Sequence, residues 1–202
     1  MRSGVSVGRA GARVEEAQPE GFGDMRRHHE LYTSTLSRIS SLRETEARRT
    51  RMAENMRSRG GMFGETMARG MEATASGYVS WLSAREGFRE AYREFFRAWD
   101  VLLAPITVVP PFPHTDARWP ERRLDVNNES VEYGLQTVYP GVATFCGQPA
   151  TAFPRGQTRS GLPIGLQAIG PYLEDRTSIR FAELVSREFG GFQAPPGYGG
   201  GW

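Results

Sequence analysis

Hydrophobic positions divide the chain into a first half with helical spacing and a second half with strand-like runs. Leu31, Tyr32, Thr35, Ile39 and Leu42 recur three and four residues apart behind Asp24, which predicts a long helix capped by that aspartate. The pattern weakens after Glu44 and is interrupted by Gly60-Gly61, and a second helix is expected over residues 62–69. The strongest periodicity begins near Ser76. Trp81, Phe88, Tyr92, Phe95 and Trp99 make one broad aromatic face. Val101-Leu102-Leu103-Ala104 is wholly apolar and ends at Pro105, the mark of a buried strand.

Alternation replaces helical spacing further on. Leu124 to Val126 and Val131 to Tyr133 flank Asn127-Asn128, a pair tolerant of positive φ, so a hairpin is expected. Residues 134–146 are expected to be helical despite Pro140 and Gly141. Ala150 to Phe153 and Leu162 to Ile169 read as strands joined by a Gly-rich turn. Asp175 is placed as the cap of a last helix with Ile179, Ala182, Val185 and Phe189 on one face and Gly190 as its stop. Near the start, residues 9–17 read as the end of one element, a Gly turn and a short strand, and residues 190–202 as a flexible tail. Residues 24–100 hold no proline, whereas most of the 13 prolines fall in residues 105–171.

Composition narrows the chemistry. With 202 residues, 39% hydrophobic and 24% charged, the chain reads as one ordinary globular unit. A single cysteine, Cys146, excludes an internal disulfide and a multi-cysteine zinc site. No apolar run approaches the ~18 residues of a membrane span. The first residues lack the apolar core of a secretory signal, so a cytoplasmic location is the expectation. All 25 basic residues counted as Lys or Arg are arginine. Mechanisms that need a neutral or covalent lysine amine are therefore outside the reach of these residues, because a guanidinium does not deprotonate in proteins.

Candidate nucleophiles and ligands are few. There is no G-x-S-x-G turn, and Ser40-Ser41 lie on the helical pattern, where solvated positions are expected. Cys146 needs a histidine to act as a nucleophile, and nothing in the spacing of His28, His29 and His114 puts one beside it; a small buried side chain is the expectation. The adjacent His28 and His29 point about 100° apart on a helix and cannot both ligate a metal from one face; a surface helix start is expected. No P-loop is possible without lysine. The arginines of residues 24–59 alternate with glutamate at helical spacing, as on a solvated face, so no nucleic-acid partner is expected. The methionines at 52, 56, 62, 67 and 71 fit core gaps better than a partner groove.

Residues 99–109 (WDVLLAPITVV) and 147–170 (GQPATAFPRGQTRSGLPIGLQAIG), followed by Leu173-Glu174-Asp175, resemble the C-terminal portion of the amidase signature family. The matching motifs are D-x-L-L-x-P at Asp100 to Pro105, G-x-P-A at Gly147 to Ala150, P-x-G at Pro154 to Gly156, and G-L-P-x-G-L-Q-x-I-G at Gly161 to Gly170. The resemblance is strong over 76–189 and compatible from residue 9. It implies an α/β fold: the C-terminal part of the amidase-signature fold, a mixed β-sheet flanked by helices. Residues 24–70 would be a mobile helical region and 76–189 the sheet-forming part.

By the same resemblance the activity is hydrolysis of carboxylic amides through an acyl-enzyme, with two serines and a lysine and no cofactor or metal. Those three catalytic residues lie in the family's N-terminal half, on a G-G-S-S-G-G-like stretch and a lysine that are absent here, so no catalytic residue carries over. Ile106, Thr107, Thr137, Tyr139 and Gly141 would form a wall of the substrate pocket. Gly147, Pro149, Gly161, Pro163, Gly165 and Gln167 read as structural, with Gln167 expected to hold neighbouring loops. The implied partners are a small amide substrate and a separate N-terminal amidase half, and homodimers occur in the family. The isolated chain is expected to be catalytically incomplete. A binding or scaffold partner of an amidase half and a degenerate remnant stand as alternatives.

Overall fold

The computed structural model describes residues 7–195 and 197–198. Its helices are α1 (Met25–Ser40), α2 (Glu46–Arg57), α3 (Gly61–Met71), α4 (Ala75–Phe95), α5 (Val138–Thr144) and α6 (Asp175–Phe189). Its strands are β1 (Leu102–Pro105), β2 (Arg123–Val126), β3 (Glu129–Glu132), β4 (Ala150–Gln157) and β5 (Pro163–Ile169). One sheet has the order β1-β5-β4 and the other is the β2-β3 hairpin; every pairing among the described residues is antiparallel. The expected tail over 190–202 falls partly on residues outside the described ones, as do residues 1–6.

The apolar run at β1 has a direct cause, since both faces of the sheet are covered. Leu102 and Ala104 pack with Ile169 against the cluster of Phe22, Phe88, Tyr92, Val142, Phe145 and Cys146. Val101 and Leu103 pack with Ala168 and Phe153 against Ala182 and Val185 of α6. Alternate residues point to opposite faces, so a strand covered twice must be apolar throughout. β1 itself is only half-buried, because it is an edge strand. In α4, capped by Thr74, Phe88 and Tyr92 face this core, and the Tyr92 hydroxyl donates to the Val142 carbonyl at 3.1 Å. Burial pushes the Tyr92 phenol well above its usual pKa.

The hairpin turns as its sequence predicts: Asn127 and Asn128 have φ of 54° and 67°, the two left-handed residues of a type I′ turn. Asp125 steadies the turn by accepting from the Asn128 N–H at 3.0 Å. The hairpin meets the helices where the Glu132 carboxylate accepts from the Phe63 N–H in the first turn of α3.

Several sequence expectations need correction. Asp24 does cap α1, accepting from the Arg26 N–H at 2.8 Å. The apolar stripe is buried only in part, however: Leu31 and Tyr32 pack against the core cluster and Thr35 is buried, but its C-terminal end faces out. Leu36, Ile39 and Leu42 are 40%, 53% and 65% exposed, while His28, His29, Thr33, Ser34, Thr35 and Ser37 are buried. Close approach to α3 explains this choice. A Cβ on Gly70 would lie 2.2 Å from the Ser34 carbonyl oxygen, so the two backbones nearly touch. Only small side chains fit between them, and their hydroxyls donate to carbonyls: Ser34 to Thr66 at 3.0 Å and Ser37 to Met67 at 2.7 Å.

Helix α2 escapes the periodicity because a single residue, Ala53, is fully buried on it. It sits with Ala68 and Met71 among Met52, Met56 and Met67, so these methionines fill a small core. Arg57 of α2 reaches Glu65 of α3 and Glu72 just beyond its end, in keeping with a solvated charged face. In α6, Ser178 joins Ala182 and Val185 in the buried face while Ile179 is exposed. Asp175 is its first helical residue, and Glu174 precedes it without a side-chain capping bond. Residues 12–17 form no strand, and none of the described strands pairs with them.

His28 and His29 are inside the protein rather than on its surface. His28 stacks on Phe22 at 4.8 Å and meets Phe88 and Phe145 edge-on. Burial, reinforced for His28 by the neighbouring imidazole, pushes the pKa of each down to about 4. The Glu30 carboxylate opposes the shift at His29.

Two tests follow from this packing. Gly70→Ala is expected to lower unfolding free energy by about 1–3 kcal/mol through overpacking. Gly87→Ala, where an added Cβ meets nothing within 4 Å in mid-helix, is expected to raise it by about 0.5–1 kcal/mol. Urea melts of both variants check the pair. Because the unfolded chain binds the histidine protons more readily, stability is full above pH ~6.5 and falls as pH drops towards ~4, by about 3 kcal/mol per histidine. Thermal melts across that range read the slope, and His28→Phe is expected to remove about half of it.

Candidate functional site

One side chain of β5 links two of the segments that carry residues expected at the substrate pocket. Gln167 is buried, and its Nε2 donates to the Pro105 carbonyl and to the Tyr139 carbonyl, each at 2.9 Å. The first oxygen belongs to the end of β1, immediately before Ile106 and Thr107. The second lies in the first turn of α5, between Thr137 and Gly141. Both hydrogens of one carboxamide thus join two segments that are more than thirty residues apart in the chain.

The other residues of this region have specific places. A Cβ on Gly165 would lie 2.9 Å from Ile106 Cδ1 and 2.9 Å from the Phe153 carbonyl oxygen, so glycine there lets Ile106 lie over β5. The Thr137 hydroxyl donates to the Gly134 carbonyl at 2.8 Å. Gly141 is buried against Tyr32, whose ring a Cβ would meet at 2.7 Å. The Thr107 hydroxyl oxygen is buried without a hydrogen-bond partner among the described residues. The five residues expected at the pocket, Ile106, Thr107, Thr137, Tyr139 and Gly141, include hydroxyl and apolar side chains and no carboxylate, imidazole or thiol.

The motif residues flanking it shape the chain. Gly147 (φ 74°) and Gly161 (φ 82°) take left-handed conformations that favour glycine. Gly147 follows α5, and Gly161 turns the chain between β4 and β5. Pro163 opens β5, and the Pro149 carbonyl accepts from the Gly170 N–H at 2.9 Å, tying the ends of the two strands.

In sequence Tyr32 is one more apolar position of α1. The structure sets it against Gly141 and, at 6.3 Å, against Phe145, and burial raises its phenol pKa. No local signal links residues 32 and 141, since the contact is made only by packing of α1 on α5. Cys146 also departs from expectation in one respect: His28 Nε2 does stand 4.0 Å from its sulfur. The pair is inert nonetheless. Burial pushes the thiol up to about 12 and the imidazole down to about 4, so both groups are neutral at pH 7 and no thiolate is available. Ser41 is buried rather than solvated, and its hydroxyl donates to the Ser37 carbonyl. Among the described residues no cluster of three or more His, Cys, Asp or Glu could hold a metal, and no helix is long and apolar enough to cross a membrane.

With this geometry in view, comparison with known proteins is decisive for the class. The Amidase family model matches residues 7–179, and the chain belongs to that family. Its curated relatives include a glutamyl-tRNA(Gln) amidotransferase subunit of Clostridium acetobutylicum, 28% identical over 140 residues that make up 65% of this chain and 27% of that protein. The corresponding protein of Prosthecochloris aestuarii is 31% identical over 76% of this chain and 33% of its own length. Among solved structures, a bacterial aryl acylamidase of the amidase signature family covers 94% of this chain with a TM-score of 0.67 at 18% identity. The glutamyl-tRNA(Gln) amidotransferase subunit of Thermotoga maritima covers 96% with a TM-score of 0.64 at 22% identity. Those matches span 39% and 40% of the solved chains, so the fold is shared with part of a larger enzyme. The chain spans only about a quarter to a third of the length of these curated relatives.

Gln167→Ala removes the donor shared by the Pro105 and Tyr139 carbonyls and is expected to lower stability by about 2 kcal/mol in urea denaturation. Gln167→Glu, which puts a carboxylate against two carbonyl oxygens, is expected to cost more at pH 8 than at pH 4.

Proposed function

We propose that residues 1–202 are the C-terminal part of an amidase-type hydrolase of carboxylic amides and are catalytically incomplete alone. One observation carries this reading: a chain of the amidase family contains 25 arginines and not one lysine. In the mechanism expected of the family, a serine oxygen attacks the amide carbonyl and its proton passes through a second serine to a lysine. The amine then leaves, and water hydrolyses the acyl-enzyme. Arginine cannot accept that proton. The nucleophile, the relay and the base therefore belong to a segment outside residues 1–202, an N-terminal amidase half. The present residues contribute strands, covering helices and a wall of the acyl pocket built from Ile106, Thr107, Thr137, Tyr139 and Gly141. The Gln167 bridge supports that assignment, because it sets the spacing of the two segments that bear the wall. The motif residues Gly147, Pro149, Gly161, Pro163 and Gly165 serve shape rather than substrate.

The purified 202-residue chain is expected to show no labelling by a fluorophosphonate and no release of aniline from an acyl anilide. Co-expression with an amidase segment bearing the Gly/Ser-rich loop and the lysine is expected to yield a one-to-one complex with amide turnover. Turnover at a serine of the isolated chain would overturn the reading.

A further inference from the structure

A concavity of about 80 Å³ opens where the turn between α2 and α3 meets the β2-β3 hairpin. Three guanidinium side chains line it: Arg59 in the turn, and Arg122 and Arg123 where β2 begins. Nearby arginines end on carboxylates, Arg57 on Glu65 and Glu72, and Arg118 on Glu121. The three in the concavity end on neutral oxygens instead. Arg59 donates through Nε to the Asn55 carbonyl and through Nη2 to the Asn55 side-chain oxygen, each at 3.1 Å. Arg122 donates through Nε to the Ala117 carbonyl at 2.9 Å, and its guanidinium lies 5.5 Å from the centre of the Tyr133 ring. Arg123 donates to the Ser130 carbonyl at 3.1 Å. Such bonds fix a guanidinium without cancelling its charge, and each leaves further N–H donors over.

One carboxylate, Glu132, shares the concavity, and it is committed elsewhere. Its Oε2 accepts from the Phe63 N–H at 3.2 Å, and the group lies against Gly61, where any side chain would collide with it. The start of α3 is thus already served by a carboxylate from the protein itself. Three guanidinium charges against one carboxylate leave a surplus of two. Hydrogen bonds from Gln136 and from Arg122 lower the pKa of the Tyr133 phenol at the same place. Trp119 rests on Phe63 with ring centres 5.3 Å apart and is still 40% exposed, so part of its indole is open beside the arginines.

We propose that this concavity binds a small phosphate monoester carried on a flat ring, with the phosphoryl oxygens held by Arg59, Arg122 and Arg123 and the ring laid against Trp119. The inference goes beyond the proposed function and does not depend on it. A phosphate monoester carries about −1.5 to −2 charges at pH 7, which matches the surplus. Its oxygens suit the planar donor fork of a guanidinium. A carboxylate brings a single charge. So does each phosphodiester of a nucleic-acid backbone, which therefore fits the surplus less well. The volume takes the head group alone, so the ring must lie at its mouth, where the indole supplies an apolar face.

The test titrates the nitrogen-15-labelled 202-residue chain with phenyl phosphate, methyl phenyl phosphate, benzoate and inorganic phosphate. Magnetic resonance reads the backbone and indole N–H groups, and the spectrum of Trp119→Phe assigns the Trp119 signal. Phenyl phosphate is expected to shift the Trp119 indole N–H and the backbone N–H groups of residues 59–61 and 122–123, and to leave Trp81 and Trp99 in place. It is expected to bind at least about fivefold more tightly than each of the other three ligands. The double variant Arg59→Gln with Arg123→Gln, both exposed, is expected to weaken phenyl phosphate at least about tenfold. Arg118→Gln, outside the concavity, is expected to change its affinity less than about twofold. Thermal melts of both variants separate loss of the site from loss of the fold, and the ligand comparison on the unaltered chain needs neither variant. Absence of a Trp119 shift at millimolar phenyl phosphate would overturn the proposal. Equal binding of the diester or of benzoate would remove the monoester, and equal binding of inorganic phosphate would remove the ring. A loss in Arg118→Gln as large as in the double variant would reduce the effect to bulk charge and overturn the site. None of these readouts depends on amide turnover.

Discussion

One carboxamide group ties the sheet to the segments that surround it. Gln167 sits in a strand covered on both faces, where a polar side chain has no water to turn to. Its two N–H groups meet the carbonyls of Pro105, at the end of β1, and Tyr139, in the first turn of α5. The burial that makes an unpaired amide costly is what makes this paired one directional. Gly165, two residues earlier, keeps the same face clear for Ile106. The close approach of the 105–107 and 137–141 segments thus depends on a hydrogen-bond donor and a missing side chain on one strand.

The helical layer is held together by a different logic. α1 and α3 approach so closely that serine and threonine hydroxyls, satisfied by backbone carbonyls, replace the usual aliphatic contacts. The C-terminal end of the apolar stripe, Ile39 and Leu42, consequently faces outward. At its N-terminal end His28 and His29 are packed among aromatic rings as neutral imidazoles. Helices joined through hydroxyls and uncharged histidines are sensitive to acid and to added volume, and this layer holds Tyr32 against the Gly141 turn.

The absence of lysine and the open edge of β1 bear on each other. The first means that these residues hold no lysine for the role expected in amidase chemistry, and the second sets a strand edge, unpaired among the described residues, beside an apolar, acidic cleft. On the function proposed above, a further segment supplies the base. This accords with a sequence that matches the family model over most of its length and yet spans only about a quarter to a third of its relatives.

The family motifs, the both-faces-apolar run at Val101 to Ala104, the Asn127-Asn128 hairpin and the caps at Asp24 and Gly190 were legible in the chain, because each rests on short-range chemistry: periodicity, preset φ angles and side-chain capping. So was the lack of a lysine base, which is a matter of composition alone. The burial of His28 and His29, the exposure of Ile39 and Leu42, the neighbourhood of Cys146 and the contacts of Tyr32 were not. Each depends on which face of a helix a distant element covers, and Gly70 settles that by letting two backbones meet across thirty residues of sequence. Residues 12–17 show the limit from the other side. Their sequence is that of a strand, but a strand exists only where a partner supplies its hydrogen bonds, and tertiary structure alone decides whether one is there.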